Sequence, residues 1–253
     1  MDELLALNRL SFAFPGQPPL FSELSLTVRR GEFVSIVGAS GCGKSTLFKI
    51  IAGLVQQTGG SIRLQGLAPE TGRLGKTAYM PQQDLLLPWR TVQDNCLLPL
   101  EIKGKADAAA TAHVRDMLQR FGLAESEKAY PHELSGGMRQ RAAFLRTLLC
   151  EGELLLLDEP FGALDAITKR DMHRWLLELW DGLGRSALFI THDLEEALLL
   201  SDRVLLMPKG SSGPLQELVV GLPRPRSLQS NYEPGFVAMR AELERRLYES
   251  RLA

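Results

Sequence analysis

The stretch Gly38-Ala39-Ser40-Gly41-Cys42-Gly43-Lys44-Ser45-Thr46 gathers the residue types that hold phosphate. Its glycines let backbone N–H groups crowd around phosphate oxygens with no Cβ in the way. The apolar run Phe33–Val37 precedes it and the helix-like Leu47–Ala52 follows. A helix there would aim its partially positive N-terminus at the same anion. In this strand, loop and helix context Lys44 would reach the β- and γ-phosphates of a nucleoside triphosphate, and the Ser45 hydroxyl would complete a Mg²⁺ shell. Ser40, Cys42 and Thr46 belong to the binding loop by position, and the Cys42 thiol is assigned no chemistry.

Two further clusters suit the same ligand. Leu154-Leu155-Leu156-Leu157 ends in the adjacent acids Asp158 and Glu159. So apolar a run fits a central strand buried on both faces, whose C-terminal end is where open α/β sheets place ligands. Asp158 could then hold Mg²⁺ through water, and Glu159 could polarise the water that attacks the γ-phosphate. Between the two motifs lies Leu134-Ser135-Gly136-Gly137-Met138-Arg139-Gln140-Arg141. It is a second small-residue loop opening a helix, with Ser135 as a hydroxyl donor. One chain cannot easily use two such termini on one triphosphate across an intervening helical lobe. A symmetric dimer, in which this loop caps the nucleotide held by the other copy, resolves the geometry.

The elements that must position these residues follow from the apolar pattern. Leu4 to Phe14 and Leu20 to Val28 read as antiparallel strands around the turn Pro15–Pro19. Ser61–Leu64 and Thr77–Met80 read as short strands, and the prolines bounding Pro81–Pro88 make that segment a loop. Thr91 to Cys150 is mainly helical, with a break at Tyr130-Pro131. Alternation then resumes: strand Leu154–Leu157, helix Asp165–Leu183, strand Ser186–Ile190, helix Leu194–Leu200, strand Val204–Met207. That order predicts a largely parallel sheet covered on both faces. Leu222-Pro223-Arg224-Pro225-Arg226 reads as a stiff basic linker. Phe236–Leu252 reads as an amphipathic helix packed on the domain, with Val237, Leu243, Leu247 and Leu252 on its apolar side.

Composition narrows the function class. The chain has 253 residues, 45% of them hydrophobic, with a formal net charge of −1. That balance argues against a general nucleic-acid or anionic-membrane binder. The three cysteines, Cys42, Cys96 and Cys150, lie far apart without metal-ligand spacing and read as reduced thiols. The N-terminus carries acids where a signal peptide would carry lysine or arginine. No apolar run reaches the roughly eighteen residues of a membrane span, so a membrane role must come through partners.

Taken in this order, the three motifs resemble the ATP-binding subunit of ABC transporters over essentially the whole chain, with Leu134–Arg141 similar to that family's signature motif. The resemblance implies a P-loop NTPase of RecA-like α/β type. Its parts would be a mainly parallel sheet, an N-terminal antiparallel β subdomain and an inserted helical subdomain at about 91–150. Residues 1–223 would form the ATPase domain, and 224–253 the C-terminal linker and helix. Further roles carry over individually. Phe14 matches the aromatic residue that stacks on adenine. Gln82 matches the glutamine that contacts Mg²⁺ and the attacking water and senses the membrane partner. Its neighbour Gln83 competes for that role, but counting back from Leu86–Trp89 favours Gln82. Asp165 matches an aspartate at the dimer seam, and His192, after Thr191, matches the switch histidine that contacts the γ-phosphate.

The segment Tyr79–Trp89 followed by Asp94-Asn95 resembles importer ATPases of the nitrate, sulfonate and taurine group. Met80-Pro81-Gln82 and Trp175-Leu176-Leu177 resemble members handling thiamine-pyrimidine precursors. This implies a peripheral subunit on the cytoplasmic face of the inner or plasma membrane. Its partners would be a second copy, integral permease subunits and, indirectly, a periplasmic or lipid-anchored substrate-binding protein, with no nucleic acid. Leu85–Trp89 would form part of the groove that receives the permease, or would simply pack between lobes. An ABC ATPase doing mechanical work on a lipoprotein-release or cell-division complex shares every motif and stays open as the alternative.

Overall fold

The computed structural model describes residues 2–64 and 72–252. Strands β1 (Glu3–Ala13) and β2 (Pro19–Arg29) pair antiparallel, and β4 (Gly59–Leu64) adds to the other side of β1. Between them in sequence, β3 (Phe33–Val37) leads through the glycine loop into α1 (Lys44–Ile51). The strand β5 (Ala78–Met80) is followed by α2 (Val92–Ile102), α3 (Ala108–Arg120) and α4 (Gly136–Leu148). Then come β6 (Leu154–Asp158), α5 (Ala166–Leu183), β7 (Ser186–Ile190), α6 (Leu194–Leu200) and β8 (Arg203–Leu206). Short strands β9 (Ser212–Pro214) and β10 (Gln216–Val219) precede the final helix α7 (Pro234–Leu252). No helix among the described residues is long and apolar enough to cross a membrane.

The strands form two sheets. The larger has the order β10-β8-β3-β7-β6-β5, parallel throughout except for β10. The smaller has the order β4-β1-β2-β9. All five residues of β3, β6 and β7 are buried. Leucine has no special strand propensity, so Leu154–Leu157 is extended because helices cover both faces of the sheet, not because of intrinsic preference. On one face α2–α5 bury a cluster that includes Phe144, Phe161 and Trp180, with the Trp180 ring edge-on to Phe33 at 4.6 Å. On the other, α1 and the smaller sheet bury Leu47, Phe48 and Ile50 against Val34 and Ile36.

Three sequence expectations change. Strands β9 and β10 were not foreseen from the sequence: β9 joins the smaller sheet in parallel beside β2, and β10 gives the larger sheet an antiparallel edge. The stiff basic linker is also a docked element: Arg226 is buried and donates to the carbonyls of Leu198 (3.1 Å), Ser201 (2.5 Å) and Leu222 (3.0 Å). Arg224 bonds the Leu200 carbonyl and Asp202, both at 2.8 Å. Together they satisfy the orphan carbonyls at the end of α6. On α7 the buried stripe is Phe236 and Leu243 with Met239 and Leu247, and Val237 is exposed. The Leu252 side chain lies outside the described residues.

Candidate functional site

Parallel pairing fixes which loops meet. Register pairs Ile36 and Asp158 with the same residue, Ile190, and Met80 with Leu157. The C-terminal ends of β3, β7, β6 and β5 therefore open on one rim of the sheet. That rim carries the glycine loop, Thr191-His192, Asp158-Glu159 and Gln82.

Two glycines of the phosphate loop are required by its geometry. Gly43 caps α1 with φ 104°, a conformation that L side chains rarely adopt. At Gly38 a Cβ would fall 2.2 Å from the Met207 carbonyl oxygen. Lys44 is buried at the start of α1, and its Nζ donates to the carbonyls of Gly38 (2.8 Å) and Ala39 (3.0 Å). The Cys42 sulfur is buried 3.7 Å from that ammonium. The Ser45 hydroxyl donates to Asp158 Oδ1 at 3.1 Å, so two of the three candidate metal ligands are already paired.

Asp158 is buried, and that burial pushes its carboxyl above the ordinary value, against the pull of the Ser45 hydrogen bond. An anion short of compensating donors suits a divalent cation. A hydroxyl with a single carboxylate is the oxygen-rich, sparse protein shell Mg²⁺ accepts when phosphate and water supply the rest. No group of three or more His, Cys, Asp or Glu that could by itself hold a metal ion occurs among the described residues.

Glu159 directly follows β6 and adopts φ 49°, in the left-handed region. Its N–H is held by the Ile190 carbonyl (3.0 Å), and its own carbonyl accepts from Gly162 N–H (3.1 Å). Such a conformation costs about 1–3 kcal/mol and tends to occur at functional sites. Here the turn leaves the carboxylate on the rim. Glu159 Oε2 accepts from Gln82 Nε2 at 3.1 Å and lies 3.5 Å from His192 Nδ1. Gln82 thus meets Glu159 and makes no hydrogen bond to Ser45 among the described residues.

The remaining candidates sit apart. Phe14 lies one residue beyond β1 and is largely exposed, its ring edge-on to Phe12 at 5.0 Å. Ser135 caps α4, accepting the Met138 N–H at 3.3 Å. Among the described residues, neither Ser135 nor Gly136 nor Gly137 hydrogen-bonds to the phosphate loop. Asp165 caps α5 and accepts from the Thr168 hydroxyl (2.6 Å) and the N–H groups of Thr168 and Ile167 (3.0 Å each). Those bonds, the Thr168 hydroxyl foremost, hold its carboxyl below the usual range.

Sequence reasoning passed over the side chains behind the switch loop: Thr191 as a ligand of Glu196, and Lys169. Asp193-x-x-Glu196 has the spacing of a capping box. Asp193 does cap α6, accepting from Glu195 N–H (2.9 Å) and Glu196 N–H (3.3 Å). Glu196 does not reach back; it turns inward and accepts the Thr191 hydroxyl. Glu196, the second of two acids in the otherwise apolar Leu194–Leu200, was the available signal.

A rim with a glycine loop, a paired hydroxyl and carboxylate, and a clustered Gln, Glu and His defines a P-loop nucleotide-binding cassette. The ABC transporter family model matches residues 21–162. The formylaminopyrimidine import ATP-binding protein ThiZ of Halalkalibacterium halodurans is 50% identical over 206 residues, covering 81% of this chain and 80% of that protein. The taurine import ATP-binding protein TauB of Escherichia coli K12 is 39% identical over 99% of both chains. Among solved structures, the dimeric ATP-binding cassette MJ0796 in a post-hydrolysis state bound to ADP and Pi superposes with a TM-score of 0.77. It is 27% identical and covers 87% of this chain and 100% of that one. The chain belongs to the ABC transporter family, and it binds ATP.

Proposed function

We propose that this chain is the ATP-hydrolysing subunit that powers import of a small solute, of the formylaminopyrimidine or taurine kind, through a separate membrane permease. The observation that carries the reading is the meeting of Gln82, Glu159 and His192 at 3.1 and 3.5 Å, on the rim that holds Ser45 and Asp158. A general base must lie within hydrogen-bond reach of the water it activates, and its partners must orient it. Glu159 is the base, Gln82 fixes its carboxylate, and His192 faces the position of the γ-phosphate. Lys44 and the loop N–H groups stabilise charge on the transferred phosphoryl group. Mg²⁺, held by Ser45 and Asp158, would supply further neutralisation of that charge.

Two copies would enclose two nucleotides, each bound by Gly38–Thr46 of one and Ser135–Gly137 of the other. Phe14 would stack on adenine, a task for its exposed π face. Asp165 would lie at the seam between copies. Loss of the γ-phosphate opens the pair, and the Gln82 loop passes that motion to the permease on the cytoplasmic face of the membrane. An exported or lipid-anchored binding protein would deliver the solute. The import names of the relatives favour this over mechanical work on an envelope complex.

The test is Glu159→Gln, which preserves shape and the hydrogen bond from Gln82. We expect kcat to fall about 10²–10⁴-fold, the range for a lost general base, while ATP still drives dimerisation in light scattering. A wild-type ATPase rate would overturn the assignment. Solute specificity is tested by uptake in cells lacking the gene. Unchanged uptake of formylaminopyrimidine and of taurine would remove both as cargo.

A further inference from the structure

Behind the Thr191–Asp193 loop lies a partly buried charge cluster that the phosphate chemistry does not use. Lys169 stands one turn inside α5, four residues after the cap Asp165. Its Nζ lies 2.8 Å from Asp193 Oδ2 and 2.6 Å from Glu196 Oε1. Glu196 is 3% exposed and also faces His173 Nε2 at 3.1 Å. Its other oxygen accepts the Thr191 hydroxyl, and Thr191 Oγ1 accepts the Asp193 N–H at 3.0 Å. Both chain neighbours of His192 are thus held by one network, Thr191 through Glu196 and Asp193 through Lys169.

Stability does not account for such an arrangement. Desolvating several charges costs about as much as their attraction returns, and apolar replacements of equal volume are often as stable. What a network with fixed geometry supplies is position. Burial opposes the Lys169 charge, yet its hydrogen bonds to Asp193 and Glu196 outweigh it and raise the ammonium above its ordinary value. The His192 side chain itself is 66% exposed and, among the described residues, Glu159 is its only carboxylate partner within 4 Å. Its direction is therefore set from behind, by its backbone.

We propose that Lys169 is a positioning residue for His192, fixing the Thr191–Asp193 loop and tying it to the helix that begins at Asp165. A displacement of α5 at the seam between copies then reaches the His192 backbone through the two ion pairs of Lys169. This rests on the reading of His192 as the γ-phosphate contact.

The experiment is steady-state ATPase of the full chain with MgATP for Lys169→Met, Lys169→Arg, His192→Ala and the Met and Ala changes combined. Lys169→Met should lower kcat about tenfold and leave the KM for ATP within about twofold, the pattern of lost orientation and not lost binding. Lys169→Arg should recover most of that loss. In the His192→Ala background the Met change should cost nothing further. An unchanged kcat in Lys169→Met would overturn the proposal, as would an equal loss with and without His192. A fall of kcat in step with the thermal midpoint in both the Met and Arg variants, or failure of Lys169→Met to fold, would assign the lysine to stability and overturn it equally. If the doubly altered protein is too slow to measure, the rescue by arginine and the split between kcat and KM decide. His192→Ala with wild-type kcat would sink the reading of His192 itself, whereas an inactive His192→Ala beside a fully active Lys169→Met sinks only the role of Lys169.

Discussion

Adding one methyl group at Gly38 should disable the phosphate loop. A Cβ there would sit 2.2 Å from the Met207 carbonyl oxygen, 3.1 Å from its carbonyl carbon and 3.2 Å from the Cys42 sulfur. An acceptable carbon-to-oxygen contact is about 3.3 Å, so roughly 1 Å of movement is needed. Met207 cannot supply it cheaply. It is fully buried, and its N–H donates to the Val37 carbonyl at 2.8 Å, immediately before Gly38. The loop must therefore lift, or the β3–β8 ladder must open. Overpacking of this kind costs about 1–3 kcal/mol, and a misplacement of about 1 Å in a positioning element can cost about 10²-fold in rate. Gly38→Ala should lower the urea midpoint accordingly and cut ATPase by roughly that factor, with weakened binding of a fluorescent ATP analogue. Gly41→Ala is the control. Nothing lies within 4 Å of its Cβ, so its only cost is the left-handed φ of 79°, about 1–2 kcal/mol. Wild-type midpoint and kcat in Gly38→Ala would refute the steric argument.

Two other outcomes follow from the same structure. Burial holds the native Asp158 carboxyl above its unfolded value, so the folded state keeps that proton longer. Stability is then lost as pH rises from the ordinary carboxylate range through the native pKa, and the charge is a net cost at neutral pH. Asp158→Asn should raise the thermal midpoint at pH 7, flatten that part of the pH profile and abolish ATPase. A midpoint that falls at pH 7 would contradict it. The Arg226 guanidinium, lowered to about 10 chiefly by burial and then by Arg224 beside it, bridges four carbonyls. Arg226→Met should cost about 2–4 kcal/mol in urea titration with an unchanged slope, since buried acceptors lose a charged donor. A midpoint within error of wild type would show that water replaces it.

What could be read in the sequence was local. Gly38–Thr46, Asp158-Glu159 and Thr191-His192 are contiguous, and each follows an apolar run long enough to mark a buried strand. Pairing partners are not contiguous, so the sheet order that brings Gln82 to Glu159 had no local signature. Ser212–Pro214 contains a glycine and a proline and has exposed ends. It is extended because β2 offers a free edge, starting with the Ser22 N–H to the Ser211 carbonyl at 2.9 Å. Arg224 and Arg226 read only as the charges of a stiff linker; the end of α6, whose carbonyls recruit them, lies more than twenty residues away in sequence. The left-handed turn at Glu159 was equally hidden, because glutamate carries no preference for it. Glu196 carries a contrary local signal, since its spacing from Asp193 fits a capping box that it does not make.

The central place of β3 has a consequence for how the protein is made. Gly31 N–H bonds Ser186 Oγ across 155 positions, and Phe33 N–H bonds Asp202 Oδ2 across 169. The flanking strands β7 and β8 leave the ribosome long after the glycine loop does, so an emerging chain carries that loop without the frame that shapes it. Closing such distant contacts is entropically slow. Until then the apolar Phe33–Val37 edge is available to wrong partners and to chaperones. Nucleotide added during synthesis should therefore do little for folding until β8 is in place, and thereafter act as a ligand that holds the finished sheet together.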